Sequence, residues 1–414
     1  MLEAAKLVAA IRAGSVTAEE VVERCAARIE EREREVRAFS WLTVGDALRK
    51  ARELERSALP LAGLPFAVKD IIDTAGVPTE CGSPLFAGRI PDASAEIVDR
   101  VAGLGGAMLG KTVTAELAFA APGPTRNPWN LERTPGGSSM GSAAGVAAGM
   151  VPLALGTQTN SSLIMPAALC GVVGFKPSAG LLRTDGVMAF SPTLDQLGWI
   201  TATAADAAFV AGLLLGAEAP VHRGLRLAVV RTEEWGAASE SVRERFDAAL
   251  DALRDTGAEL VDDPGPPAAL AGARPVHRTI MAYEAVRSVG PAVAARPEVV
   301  SEVLRRFLAE GSGIGDDAYA TALAARASLI ATCTEWLLGF DAVVTPAAPA
   351  EAPSAVGTGD ARFCTAWTLI GAPAIVLPSG RGGEGLPVGL QLVGAPGADA
   401  ALLGTALDVE PLVA

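Results

Sequence analysis

The hydrophobic pattern changes period along the chain, and each change marks an element. From Thr17 onward, Val21, Val22, Cys25, Ala26 and Ile29 recur at helical spacing with charged residues between them. Thr17-Ala-Glu-Glu20 has the form of a capping box, in which a threonine hydroxyl and a glutamate three residues on satisfy each other's free N–H groups. It predicts a helix running to about Glu35. The same period predicts helices over Val44–Ser57, Ala95–Leu104, Ser241–Asp255, Val276–Val289, Val299–Glu310 and Asp317–Leu338. Short continuous apolar runs read instead as buried strands: Leu64–Lys69, Ala107–Gly110, Val172–Phe175, Leu225–Val230, Ala342–Thr345, Ala374–Leu377 and Val388–Val393. Strands alternating with helices imply an α/β fold around a largely buried, mixed sheet covered by helices on both faces. Asp262–Pro267, Gly311–Gly315 and Pro346–Gly359 read as loops, the last long enough to suspect a functional role. His222-Arg-Gly marks a candidate junction between halves.

One segment breaks the pattern. Between Thr134 and Phe175 there is no Asp, Glu, Lys or Arg, and the stretch holds Ser138, Ser139, Ser142, Ser161 and Ser162. Within it, Ser142–Met150 is helical in pattern but made of very small side chains, which predicts a central helix packed closely on its neighbours.

Composition narrows the function. Half of the 414 residues are hydrophobic, yet no run approaches the roughly 20 consecutive apolar residues of a membrane span. The N-terminal stretch lacks the basic start and apolar core of a signal peptide. The expectation is a soluble, cytoplasmic protein. The net charge of −13 argues against a nucleic-acid surface, which needs a basic patch. Cys25, Cys81, Cys170, Cys333 and Cys364 are odd in number and scattered, and are expected to be reduced, mostly buried thiols.

Serines clustered among glycines suggest a nucleophile, but a hydroxyl needs a base. Only His222 and His277 could complete a Ser-His-Asp triad, and neither sits in a motif-like setting; both read as surface or half-buried histidines. Two histidines and scattered cysteines give no metal-ligand spacing. The run Gly136–Ser142 matches no phosphate-binding pattern and reads equally as a glycine turn with capping serines. Lysine is scarce: Lys6, Lys50, Lys69, Lys111 and Lys176 stand against 29 arginines. Lys69 follows Pro-Phe-Ala-Val on a predicted buried strand. An ammonium there must be paired, with Asp70 or Asp73, or else lose its proton and become a base. A Ser-Lys hydrolase fits these residues, but they do not choose among the serines.

Several strings, in order, resemble the amidase signature family: Gly63-Leu-Pro-Phe-Ala-Val-Lys-Asp70, Gly110-Lys-Thr112, Asn127-Pro-Trp-Asn130, Thr134-Pro-Gly-Gly-Ser-Ser-Met-Gly-Ser-Ala-Ala144, Gly156-Thr-Gln-Thr-Asn-Ser-Ser162, Pro166–Pro177 and Leu194-Asp-Gln-Leu-Gly198. The likeness is strong from Leu61 to Thr203, with echoes at Trp367–Pro378 and Gly385–Val393. It implies the amidase signature fold, with helices over 1–60, a signature core over 61–205, and a part over 206–414 completing the same α/β domain. It also implies a Ser-cisSer-Lys triad. Ser162 is then the nucleophile, Ser138 the bridging serine and Lys69 the base, with the N–H groups of Thr159, Asn160, Ser161 and Ser162 facing the oxyanion. No metal or organic cofactor is implied, and a homodimer is a family-level expectation. Ser139, Ser142 and Ser161 are left as turn or capping residues.

Two departures stand out. The family usually has Gly-Gly before the nucleophile, where this chain has Asn160-Ser161. It also commonly carries an arginine two residues after the nucleophile, or three in the malonamidase-like members that this chain resembles most. Here Ile164 and Met165 occupy those positions. Lining the pocket, they would favour neutral amides, anilides or carbamates such as urethanes over carboxylated substrates; otherwise both are core residues. Two other readings remain open: an amidotransferase A-type subunit, and a binding-only relative impaired by the lost glycines.

Overall fold

The structure, a computed structural model, describes all residues except 56, 221–223, 263 and 266–267, and no side chain at 268 and 269. His222 and its proposed junction therefore lie outside the described residues, as does part of the loop at 262–267.

The strands are β1 (Phe39–Leu42), β2 (Pro65–Lys69), β3 (Ala107–Thr112), β4 (Leu153–Gln158), β5 (Val173–Lys176), β6 (Gln196–Thr201), β7 (Arg226–Val229), β8 (Glu259–Asp262), β9 (Ala342–Pro346), β10 (Ala374–Arg381) and β11 (Pro387–Val393). They form one sheet in the order β1-β3-β2-β4-β6-β5-β10-β11-β9-β7-β8. Parallel pairs, β2 with β3 and β4, and β7 with β8 and β9, flank an antiparallel centre. The sheet is thus mixed, with helices on both faces. The central strands are buried along their whole length, which is why β2, β5 and β11 read as continuous apolar runs rather than alternating ones.

The expected helices form close to their expected bounds. The capping box is present: the Thr17 hydroxyl accepts from the Glu20 N–H at 3.1 Å, and the Thr17 N–H donates to Glu20 Oε2 at 2.7 Å. The helix it opens runs Ala18–Val36 and buries Val21, Val22, Cys25 and Ile29. All five cysteines are free and buried.

Two central strands escape the apolar pattern. β4 and β6 carry glycines at their middles, Gly156 and Gly198. A Cβ on Gly198 would come within 2.3 Å of the Phe175 carbonyl oxygen, so the close approach of β5 demands the glycine that disguises the strand. The helices Ala204–Leu215 and Asp399–Val413 were also hidden, because they are apolar nearly all round and show no amphipathic stripe. The small-residue helix is Met140–Ala147, buried on almost every side. No helix among the described residues is long and apolar enough to cross a membrane.

Candidate active site

β2 and β4 run parallel, with Ala67 beside Ala154 and Val68 beside Leu155, so their C-terminal ends meet at one edge. Lys69 ends β2 there and is fully buried. Its Nζ lies 2.7 Å from the hydroxyl of Ser138 and 2.7 Å from that of Thr157 on β4. Burial pulls its pKa down to about 7, only partly opposed by the charge of Asp195. The ion pairs that could have explained Lys69 are absent. Asp73 instead pairs with Arg89, at 2.7 and 2.6 Å. Asp70 accepts from the Glu80 N–H, and burial raises its pKa to about 6.

Ser138 follows a cis peptide bond from Gly137. Its neighbour Ser139 donates its N–H to the Ser162 carbonyl at 3.1 Å, which brings the two serine motifs together. Ser139 occupies the N-cap of the small helix but makes no capping bond. Its hydroxyl instead bridges to β4, donating to the Thr157 carbonyl at 3.1 Å and accepting from the Thr157 N–H at 3.3 Å. Ser142 likewise straps the helix down, donating to the Leu155 carbonyl at 3.0 Å. The expectation of turn or capping roles for these two is corrected: they bind a strand, because the helix lies close enough for short hydroxyls to reach it. The Ser161 hydroxyl faces the Met165 sulfur at 3.9 Å. The Ser162 hydroxyl has no side-chain or backbone partner among the described residues and borders a cavity of about 150 Å³.

Around the chain from Thr159 to Ser162 the partners fall into a pattern. None of the four backbone N–H groups has a hydrogen-bond partner among the described residues, while all four carbonyls do. The Gln158 side chain anchors the turn after the serines, accepting from the N–H groups of Leu163 and Ile164, both at 3.0 Å. Asn160 and Ser161 are not among the residues with positive φ, so losing glycine there imposes no left-handed strain. The Asn160 side chain is held by the Thr365 hydroxyl at 2.7 Å. Asp195, raised to about 6 by burial, accepts from the Thr159 hydroxyl at 2.6 Å and from the N–H groups of Phe190 and Ser191.

His277 is not the surface or half-buried histidine expected. It is fully enclosed on the helix Ala273–Ser288, and its Nε2 lies 2.9 Å from the Thr159 carbonyl. Burial lowers its pKa to about 4. It contacts the serine segment through that carbonyl. Nothing in the sequence linked His277, Thr365 or Thr368 to this segment, since they come from distant parts of the chain. Asp195 and Gln158 lie inside the family-like motif strings, but the resemblance implies no role for either.

Of the two apolar residues expected in the pocket, Met165 borders both the 150 Å³ cavity and an adjoining apolar cleft of about 380 Å³ that also holds Leu169, Ala348 and Val356. Ile164 does not line either. It is fully buried in the main core, its side chain on the inner face of the short helix Ile164–Cys170. The long loop supplies Thr358 and Gly359 to both spaces. Arg362, at its end, is held by Asp360 at 2.7 Å and Glu234 at 3.2 Å.

A family profile described as Amidase matches residues 20–403. The chain is 34% identical to the A subunit of a glutamyl-tRNA(Gln) amidotransferase from Chloroflexus aurantiacus, over 95% of this chain and 93% of that one. It is 35% identical to the protein of the same name from Nitratidesulfovibrio vulgaris, over 94% and 92%. Among solved structures, one described as an amidase superposes with a TM-score of 0.91 at 29% identity, covering 100% of both chains. The native peptide amidase from Stenotrophomonas maltophilia gives 0.83 at 26% identity, covering 99% of this chain and 96% of that one. The fold is that of the carbon–nitrogen bond hydrolases of the amidase family. The chain belongs to the amidase family. The malonamidase-like affinity suggested by its motif strings is not supported, since these curated relatives are the A subunits of amidotransferases.

Proposed function

We propose that this enzyme hydrolyses amide bonds through Ser162, with Ser138 as proton bridge and Lys69 as base, and that it prefers neutral amides, anilides or carbamates to carboxylated ones. The observation that carries the reading is Lys69 Nζ at 2.7 Å from Ser138 Oγ, fully buried, with its pKa pulled down to about 7. A neutral amine takes the Ser162 proton through the Ser138 hydroxyl as Ser162 attacks the carbonyl carbon. The N–H groups of Thr159 to Ser162, without partners among the described residues, receive the charge that develops on the carbonyl oxygen. The proton then passes to the leaving amine, and water releases the acyl group by the reverse route.

The preference for neutral substrates rests on the cavity wall. Met165 offers an apolar surface where a carboxylate would need a cation, and the nearby Arg362 is already engaged by Asp360 and Glu234. The test is a hydrolysis screen of matched neutral and carboxylated amides, combined with mass spectrometry for an acyl group on Ser162. The reading fails if no acyl-enzyme forms with any amide that is turned over.

A second reading is favoured by the curated relatives, which are named as subunits of an amidotransferase. On that reading the isolated chain would be nearly inactive and would gain activity with a second protein. Turnover of a simple anilide by the purified chain alone would exclude it.

A further inference from the structure

A trans peptide unit is planar, so its C=O and the next residue's N–H point in opposite directions. Fixing a carbonyl therefore aims the following N–H. In the segment before Ser162 every carbonyl is fixed from outside. The Thr159 carbonyl meets His277 Nε2 at 2.9 Å, and the Asn160 carbonyl accepts from the Thr368 hydroxyl at 2.6 Å. The Ser161 carbonyl accepts from the Met165 N–H at 3.0 Å, and the Ser162 carbonyl from the Ser139 N–H at 3.1 Å. Opposite the first three of these carbonyls, the N–H groups of Asn160, Ser161 and Ser162 have no partner among the described residues, whereas the one opposite the Ser162 carbonyl, on Leu163, donates to the Gln158 side chain.

The last two anchors are backbone groups that most sequences could supply. The first is not. A carbonyl only accepts, so the ring must carry its proton on Nε2. Thr159 is gripped a second time, because its hydroxyl donates to Asp195 Oδ1 at 2.6 Å. The helix Ala273–Ser288 thus reaches across to one peptide plane beside the nucleophile, and uses one of the two histidines of the chain to do so.

We infer that His277 is a positioning residue for the reaction: by holding the Thr159 carbonyl it turns the Asn160 N–H toward the oxyanion. It touches no reacting atom. It acts on the transition state, where the charge is on the oxygen, and hardly on the bound substrate. Burial keeps the imidazole neutral, consistent with a fixed tautomer. This inference rests on the reading of Ser162 as nucleophile.

The experiment compares His277→Leu, which cannot donate, with His277→Gln, which keeps a donor at similar reach. Each is assayed with a neutral anilide and with two inhibitors of one skeleton, a trifluoromethyl ketone and the corresponding alcohol. Ser162 Oγ adds to the ketone carbon, its proton passes through Ser138 to Lys69, and the carbonyl electron pair becomes an alkoxide in the oxyanion site. The alcohol forms no such adduct. A misaimed donor should cost about 10²-fold or somewhat less. The expected result is that His277→Leu lowers kcat and weakens the ketone by a similar factor, with KM and alcohol affinity unchanged, and that His277→Gln restores most of both. Should leucine prevent folding, His277→Asn, too short to reach, takes its place against His277→Gln. Equal weakening of ketone and alcohol, or an unchanged kcat, overturns the inference. Ser162→Ala tests the underlying reading separately: full activity in that variant removes the reading itself, whereas an inactive Ser162→Ala beside an unimpaired His277→Leu removes only the role of His277.

Discussion

Lys69 Nζ and Ser138 Oγ lie 2.7 Å apart in a fully buried setting, and the partners of that nitrogen separate it from the other buried lysines. Lys111 donates to the Ile72 carbonyl and to the hydroxyls of Thr74 and Thr79 at 3.1 and 2.8 Å. Lys176 donates to the Ala372 carbonyl at 2.5 Å, the Gln196 amide oxygen at 2.6 Å and the Pro177 carbonyl at 3.3 Å. Burial lowers all three, Lys111 to about 8 and the others to about 7. Carbonyls only accept, so they favour the ammonium form of Lys111 and Lys176 and make those residues structural staples. Lys69 faces two hydroxyls, either of which can donate to a neutral amine. Burial alone does not make a base; what sets Lys69 apart is that, among the described residues, its partners are hydroxyls with no carbonyl among them, whereas Lys111 and Lys176 each also donate to a carbonyl.

The three proposed residues then have separable effects. Ser162→Ala is expected to abolish the acyl-enzyme altogether, as read by intact-protein mass spectrometry after mixing with an anilide. Lys69→Ala and Ser138→Ala should each slow acylation by about 10²–10⁴-fold, the range of general-base catalysis. Full activity in Ser162→Ala together with loss in Ser161→Ala would move the nucleophile by one residue.

How much of this was legible in the sequence depends on how local the signal is. The capping box of Thr17 and Glu20 is complete within four residues, and it forms as expected. The strand ending at Lys69 announces itself as an apolar run. β4 and β6 do not, because Gly156 and Gly198 answer to neighbouring segments of the fold rather than to strand propensity. The site follows the same rule. Lys69, Ser138 and Ser162 sit in ordered motif strings. His277 and Thr368 act on that segment only after folding brings residues more than a hundred positions away alongside it. Ile164 was misplaced for a related reason: two neighbours on a helix point to different sides, and only Met165 faces the cavity.

The pH dependence follows from the direction of the Lys69 shift. On the proposed reading Lys69 works as the base in its unprotonated form, and its pKa falls from the ordinary value of 10.5 to about 7. Activity should therefore be fully present at pH 8 to 9 and be lost as pH falls through about 7. Asp195, raised to about 6, protonates next and weakens its grip on Thr159, so the loss should steepen below that point. His277, at about 4, lies too low to produce the main limb. A profile of kcat/KM that stays level between pH 5 and 9 would dismiss Lys69 as the base.

The small helix that follows Ser138 is packed on backbone. A Cβ on Gly141 would meet the Ala38 carbonyl oxygen at 2.2 Å and the Val113 nitrogen at 2.4 Å. Alanine gains about 1 kcal/mol over glycine in helix propensity. Overpacking typically costs ~1–3 kcal/mol, and here both obstacles are main-chain atoms that cannot swing away. Gly141→Ala should thus lower stability in denaturant titration and also depress kcat, because the helix carries Ser139 and Ser142, which tie it to β4. An unchanged or raised midpoint would show that the helix can shift freely.

On the proposed reading, Met165 sets which substrates fit. It borders the cavity beside Ser162 and the apolar cleft beyond, with Gly359 against its sulfur; a Cβ on that glycine would come within 2.8 Å of Sδ. A carboxylate entering this space meets methionine and leucine and gains no charged partner, while an aryl or alkyl group gains apolar contact. Met165→Arg reverses the balance: its fork can hold a carboxylate through two bonds, and with a neutral substrate it is left poorly paired in a confined space. Asp360, which lines the same cleft, competes for the new arginine, but it already accepts from Arg362 at 2.8 Å. Charge-assisted hydrogen bonds contribute roughly 1.5–3 kcal/mol, so the ratio of kcat/KM for a neutral anilide over a matched carboxylated amide should shift by about one to two powers of ten toward the acid. The measurement is that ratio in both proteins. A higher value for the carboxylated amide in the unmodified enzyme would mean that another cation serves the pocket and that Met165 does not set its preference.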